Sequence, residues 1–136
     1  MKTRSTFLST LMLAFLTLSV TKAQAIIIYD HPVGITFGQT ARVTAANTGT
    51  RAITINGSFL DSEGTVLGQF ERQVIEPGKM MSFDLNADDI VRENNRIQIR
   101  VVITADTSRG LLTAIEVFDN DTGKTTVFLS PPPDQD

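Results

Sequence analysis

Arg96-Ile97-Gln98-Ile99-Arg100-Val101-Val102-Ile103-Thr104 carries an apolar residue at every second position. Ile97, Ile99, Val101 and Ile103 fall on one side of an extended chain, and Arg96, Gln98, Arg100, Val102 and Thr104 fall on the other. A period of two is the mark of a half-buried strand, and β-branched residues suit its pleated surface. Outward from this stretch the pattern repeats. It recurs at Ala41, Val43 and Ala45, at Ile53, Ile55 and Phe59, at Val66, Phe70 and Val74, at Met81, Phe83 and Leu85, and at Ile115 and Val117. Thr125 to Leu129 reads as the last strand.

The segments between these stripes have turn chemistry. Asn47-Thr48-Gly49-Thr50, Asp61-Ser62-Glu63-Gly64 and Asn120-Asp121-Thr122-Gly123 bring together the residues that accept turn dihedrals or bond their own backbone. Glu76-Pro77-Gly78-Lys79 is the sharpest, because proline sets φ at the second position and glycine supplies the positive φ that a type II turn needs at the third. Asn56-Gly57 has hairpin composition, but the stripe Ile53, Ile55, Phe59 keeps its phase across it, so it reads as a strand position with a bulge. Helical character is confined to Ala87 to Asn94, where Asn86 or Asp88 caps a single turn containing Ile90 and Val91.

About seven short strands at a spacing of roughly 8 to 12 residues, with no long helix, predict an all-β fold: an immunoglobulin or fibronectin-III-like Greek-key β-sandwich over residues 26–130. The cysteine and tryptophan hallmarks of antibody domains are missing, so the likeness is architectural. Pro131-Pro132-Pro133-Asp134-Gln135-Asp136 reads as an extended acidic tail outside the sheets.

Ahead of the strands, residues 1–25 have the three parts of a signal peptide. Lys2 and Arg4 make a basic start, Phe7 to Val20 is mostly apolar, and Ala23-Gln24-Ala25 matches a cleavage site after Ala25. The apolar part falls short of the roughly 20 residues that span a bilayer, so no stable membrane anchor is expected after cleavage. The expected location is secreted or periplasmic. Cleavage would remove Lys2, Arg4 and Lys22 and no acid, moving the formal charge from −3 to −6. A net negative surface argues against nucleic acid, which recruits clustered lysine and arginine.

Composition closes off much chemistry. With no cysteine there are no disulfides, thiolate zinc sites or cysteine nucleophiles, and one histidine cannot build a multi-histidine metal site. His31, between Asp30 and Pro32, has neither a nucleophile elbow nor an exposed serine at a strand-to-helix junction beside it, and reads as a loop residue. Asp88-Asp89 and Glu93 are too close along one turn to face each other across a glycosidic bond, and suit a helix start better. Arg92, Arg96 and Arg100 read as a solvated face paired with acids on a neighbouring strand rather than as an acidic-ligand patch. Sugar binding is disfavoured, since Tyr29 is the one tyrosine and tryptophan is absent. Asp119 and Asp121 are the only metal candidates. The run Asp119-Asn120-Asp121-Thr122-Gly123 begins like a calcium loop, but an EF-hand would put its glycine at Lys124 and its bidentate glutamate at Ser130. No catalytic residue, no cofactor-binding residue and no cofactor is expected.

The segments Val33-Gly34-Ile35-Thr36-Phe37-Gly38-Gln39-Thr40-Ala41-Arg42-Val43, Phe59-Leu60-Asp61-Ser62-Glu63-Gly64, Ile75-Glu76-Pro77-Gly78-Lys79 and Glu116-Val117-Phe118-Asp119-Asn120-Asp121-Thr122-Gly123-Lys124-Thr125-Thr126 resemble a group of small uncharacterised exported bacterial proteins with a single β-sandwich-like domain. The resemblance covers most of residues 33–129. It implies a bacterial source and one exported domain, and it transfers no catalytic residue.

The expectation is therefore an exported, non-enzymatic β-sandwich that acts through contact with a protein partner. One form of it is self-association in which Ile26, Ile27, Ile28 and Tyr29 add to the sheet edge of another copy, although the same stretch also reads as the first strand of its own sheet. The alternative is a small-ligand or calcium-binding secreted module using the loop-end residues Asp61 to Gly64 and Asp119 to Lys124.

Overall fold

The computed structural model describes residues 26–29, 32–93 and 95–130, and among these all regular structure but one short turn is β-strand. In chain order the strands are β1 (Ile26–Tyr29), β2 (Val33–Thr36), β3 (Gln39–Asn47), β4 (Ile53–Asp61), β5 (Val66–Ile75), β6 (Met80–Asn86), β7 (Arg96–Ala105), β8 (Leu111–Asp119) and β9 (Thr125–Leu129). A 3-10 turn, Ala87–Asp89, follows β6. The expected alternation thus forms an all-β fold of two antiparallel sheets. One has the order β1-β7-β4-β5 with β2 also on β7, and the other the order β6-β3-β8-β9.

The two strands beyond the expected seven lie on one edge. β1 pairs Ile26 to Tyr29 with Ala105 to Val102, and β2 pairs Val33 to Thr36 with Ile99 to Arg96, so two short strands share the length of β7. The segment Ile26–Tyr29 is accordingly placed in its own sheet.

The stripe read first forms the inner face of β7: Ile99, Val101 and Ile103 are buried and Ile97 packs against the core from its margin. Ala41, Val43 and Ala45 of β3 and Ile115 and Val117 of β8 answer it from the other sheet. Burying an isoleucine or valine side chain contributes about 1.5–3 kcal/mol, and this apolar layer carries the fold without a covalent staple. The Phe70 ring of β5 stacks on Phe83 of β6 with centroids 3.8 Å apart, joining the two sheets at one edge.

One stripe corrects the sequence reading. Val66 and Val74 are exposed, and β5 instead turns Phe70 and Ile75 inward. An odd spacing between two inward residues requires a bulge, and the β4–β5 ladder shifts register between Ile55 and Gly57 and again between Phe59 and Leu60. Gly57 is needed there. A Cβ at that position would run into the Phe70 ring and come within 2.8 Å of the Val102 carbonyl oxygen.

The predicted type II turn forms: the Lys79 amide donates to the Glu76 carbonyl at 3.0 Å, and Gly78 has φ of 72°. The helical stretch is shorter than expected. Asn86 caps it by accepting from the Asp88 amide, and the chain leaves after Asp89.

Candidate functional site

Turns of both sheets collect at two ends of the sandwich, and each end is organised by an asparagine. Among the described residues, the largest side chains sealed from solvent are isoleucines and valines, with Asn47 the one exception. A buried amide left unpaired would cost about 1–3 kcal/mol per polar group, so its bonds matter. Asn47, the last residue of β3, meets every demand. Its Nδ2 donates to the Arg51 carbonyl at 2.7 Å and the Ile75 carbonyl at 2.8 Å, and its Oδ1 accepts from the Gly49 amide at 2.9 Å. Its backbone amide donates to Lys79 and its carbonyl accepts from Gly78. One side chain thereby fixes the β3–β4 loop and the end of β5, while its backbone holds the turn before β6.

That loop lies against the β7–β8 loop. The Thr48 amide donates to the Gly110 carbonyl at 2.7 Å, and a Cβ on Gly110 would come within 2.6 Å of the Gly49 nitrogen, so two glycines permit the close approach. Between the loops is an open depression of about 720 Å³ lined by Thr48 to Ala52, Asp106, Thr107, Arg109 and Gly110. Asp106 is committed to the scaffold, since its Oδ1 accepts from the Thr54 amide at 3.1 Å. Arg51 and Arg109 make no ion pair among the described residues. Two arginines without an ion pair among the described residues and one aspartate therefore line the depression. In the sequence Asn47 to Thr50 reads as a turn, and nothing local shows that residues 51 and 109 line one depression.

At the opposite end Asn120 is the organiser. Its Oδ1 accepts from the Thr40 hydroxyl at 2.6 Å, and its Nδ2 donates to Asn86 Oδ1 and Asp88 Oδ2, both at 3.1 Å. Asp88 in turn accepts from the Gly38 amide. The Asp88 carboxylate thus ties the β2–β3 turn to the 3-10 turn instead of merely facing a helix start.

The calcium candidates sit at this end. Asp119 Oδ1 accepts from both the amide (2.8 Å) and the hydroxyl (2.7 Å) of Thr122, and these bonds hold its carboxyl below the usual carboxylate range. Asp121 is exposed beside it. Asp61 is built the same way: bonds from the Thr65 and Glu63 amides lower its pKa. Both aspartates use the carboxylate to close their own turns, and no group of three or more metal-ligating side chains occurs among the described residues.

The arginine face departs from expectation. Arg92, Arg96 and Arg100 have no ion pair among the described residues. Arg96 instead lies flat over Gly34, where any Cβ would strike its guanidinium. The ion pair that does form is on the other sheet, where Arg42 grips Asp84 through two bonds of 2.8 Å and covers the Phe118 ring. Asp30 and His31 lie outside the described residues, as do residues 1–25 and 131–136.

These features define the chain as a β-sandwich with a depression lined by two arginines at one end. No protein-family model matches it, and no curated protein matches it.

Proposed function

We propose that the chain is an exported, non-enzymatic β-sandwich of the immunoglobulin or fibronectin-III-like Greek-key class, acting through contact with a protein partner. One observation carries the contact reading. On the solvent face of the second sheet, Ala46 is flanked by Met80 on β6 and Leu112 on β8, and these two are 68% and 55% exposed. An apolar cross-strand row on an outer face supports a contact surface, since contiguous exposed apolar patches mark interaction sites. Phe128 on β9, 64% exposed, adds to the same face two rows away.

The Greek-key assignment is supported by three adjacencies: β4 beside β7, β3 beside β6 and β5 beside β4. They correspond to the third with sixth and second with fifth strands of an immunoglobulin sandwich, plus its extra edge strand. The ends of the chain differ from that order, because β2 pairs with β7 and β8 with β3, so first and last strands have exchanged sheets.

Site-specific photo-crosslinking in the producing cells tests the contact. A crosslinker at Met80 or Leu112 is expected to trap a discrete protein adduct, while one at Glu63 is not; no adduct from either face position overturns the reading. N-terminal sequencing of the recovered protein is expected to begin at Ile26, and recovery of Met1 contradicts export by cleavage.

A further inference from the structure

We propose that this chain pairs with a second copy of itself along the free edge of β6, joining the β6-β3-β8-β9 sheets of the two copies into one sheet across a two-fold axis. A sheet edge invites a further strand unless something blunts it, and short strands, bulges and edge charges are the usual means. Among the described residues, three of the four edges are blunted. β7 is flanked by two four-residue strands, and β9 has five residues and a register shift against β8. β5 shifts register twice against β4 and exposes Glu71 and Arg72 along its length. β6 is the exception. Its residues Met80 to Asn86 pair with β3 in unbroken register, and its one charge, Asp84, is already held by Arg42.

The ladder of β3 decides which backbone groups of β6 face outward. In an antiparallel pair, alternate residues turn both N–H and C=O to the same neighbour. The Asn47 amide donates to the Lys79 carbonyl at 2.9 Å, while on the other side of β3 the Thr48 amide donates to the Gly110 carbonyl at 2.7 Å. Odd-numbered residues of β3 therefore bond toward β6 and even-numbered ones toward β8. With Ala45 opposite Met81, Val43 opposite Phe83 and Ala41 opposite Leu85, the backbone groups of Met81, Phe83 and Leu85 point to β3. Those of Met80, Ser82 and Asp84 point to the free edge. Among the described residues, no backbone hydrogen bond outside the sheet ladders uses them.

The strand is complementary to itself in one register. A two-fold axis through Phe83 sets Ser82 opposite the partner's Asp84 and Met80 opposite the partner's Asn86, so the outward groups meet in hydrogen-bonded pairs and a hydroxyl faces a carboxylate. On the inner side, Met81 falls opposite the partner's Leu85 and Phe83 opposite the partner's Phe83. This pairing covers Met81 and Phe83, which the single chain leaves half-buried at the margin of its core. The stack on Phe70 already holds the Phe83 ring in place. Moving the axis to Asp84 puts two carboxylates face to face, which is unfavourable. Moving it to Ser82 sets Met80 against the partner's Asp84 and leaves Asn86 beyond the end of the partner's strand.

Sedimentation velocity of the chain over a dilution series tests the pairing. A dimer is expected to form as concentration rises, and amide exchange at Ser82 and Asp84 is expected to slow with it, while the amides of Met81 and Phe83, already bonded to β3, change little. Ser82→Asp opposes the partner's Asp84, twice by symmetry, and is expected to weaken dimerisation about tenfold or more. Ser82→Lys offers that carboxylate a cation and is expected to leave the dimer at least as strong as in the parent. Both variants lose the bond between the Ser82 and Thr44 hydroxyls, so a merely structural role for Ser82 would move them together. Thermal unfolding of each variant shows that the fold is kept. A monomer throughout a series reaching about 1 mM overturns the proposal. So does a dimer in which the Ser82 and Asp84 amides exchange as fast as in the monomer, or an equal loss from the Asp and Lys variants. The pairing goes beyond the outer-face reading, and Leu112 lies two strands from this edge, so a missing Leu112 adduct and a missing dimer are separate failures.

Discussion

Asn47 and Asn120 do related work at opposite ends of the sandwich, and they do it in opposite surroundings. Asn47 is sealed from solvent and each of its polar atoms is bonded to backbone. Asn120 sits at the surface and bonds mainly to other side chains, Thr40, Asn86 and Asp88. Where the organiser is buried, water cannot replace a lost bond, and the loops above it are free to turn their charged groups outward. Where it is exposed, the charged and polar groups are consumed in tying three turns together. The same residue type thus yields a presenting end and a locked end.

Removing each amide should expose that difference. Asn47→Ala strands the buried Ile75 carbonyl and leaves the partly buried Arg51 carbonyl and Gly49 amide without their partner, and we expect a loss of about 3 kcal/mol in urea denaturation. Asn120→Ala leaves its partners in reach of water, and the expected loss is about 1 kcal/mol. Equal losses would erase the distinction.

Glycines sharpen the same contrast. Gly110 and Gly38 both have positive φ, 78° and 81°. Around Gly38 a methyl group meets open space, whereas at Gly110 it meets the Gly49 backbone. Gly38→Ala is expected to cost about 1 kcal/mol for the left-handed backbone alone. Gly110→Ala is expected to cost about 2–3 kcal/mol, because overpacking adds to that penalty. Thermal unfolding of the pair gives the comparison directly.

The smallest effect belongs to the aspartate turns of the locked end. Asp61 and Asp119 have carboxyl pKa values lowered by their turn bonds. A lowered folded-state pKa stabilises above the unfolded value of about 3.9, and that stabilisation is lost as pH falls through the folded-state value. Urea midpoints measured from about pH 5 to pH 2 should fall less steeply in Asp119→Asn than in the parent. An unchanged acid limb would show that the Thr122 bonds make no difference to folding.

How much of this was legible in the sequence depends on the range of the interaction. The strands at Arg96 to Thr104 and Ala41 to Ala45, the Pro77-Gly78 turn and the Asn86 cap are local facts, written in alternation and turn chemistry. The inward stripe of β5 is not legible, because a bulge changes which residues face the core and nothing within β5 marks its place. The neighbour across the ladder, Gly57, holds the clue. Long-range convergence was not legible at all. Arg51 and Arg109 come to line one depression through the approach of loops nearly 60 residues apart, and Asn47 reads like any turn asparagine until Ile75 is brought over it.

Native-state hydrogen exchange at single amides tests the central claim, that a buried asparagine makes one end of the sandwich rigid while the other is held from the surface. The amide of Gly49, bonded to Asn47 Oδ1, is expected to exchange only through global unfolding, whereas that of Gly38, bonded to Asp88, exchanges through local opening. Gly49 exchanging as readily as Gly38 would contradict the account.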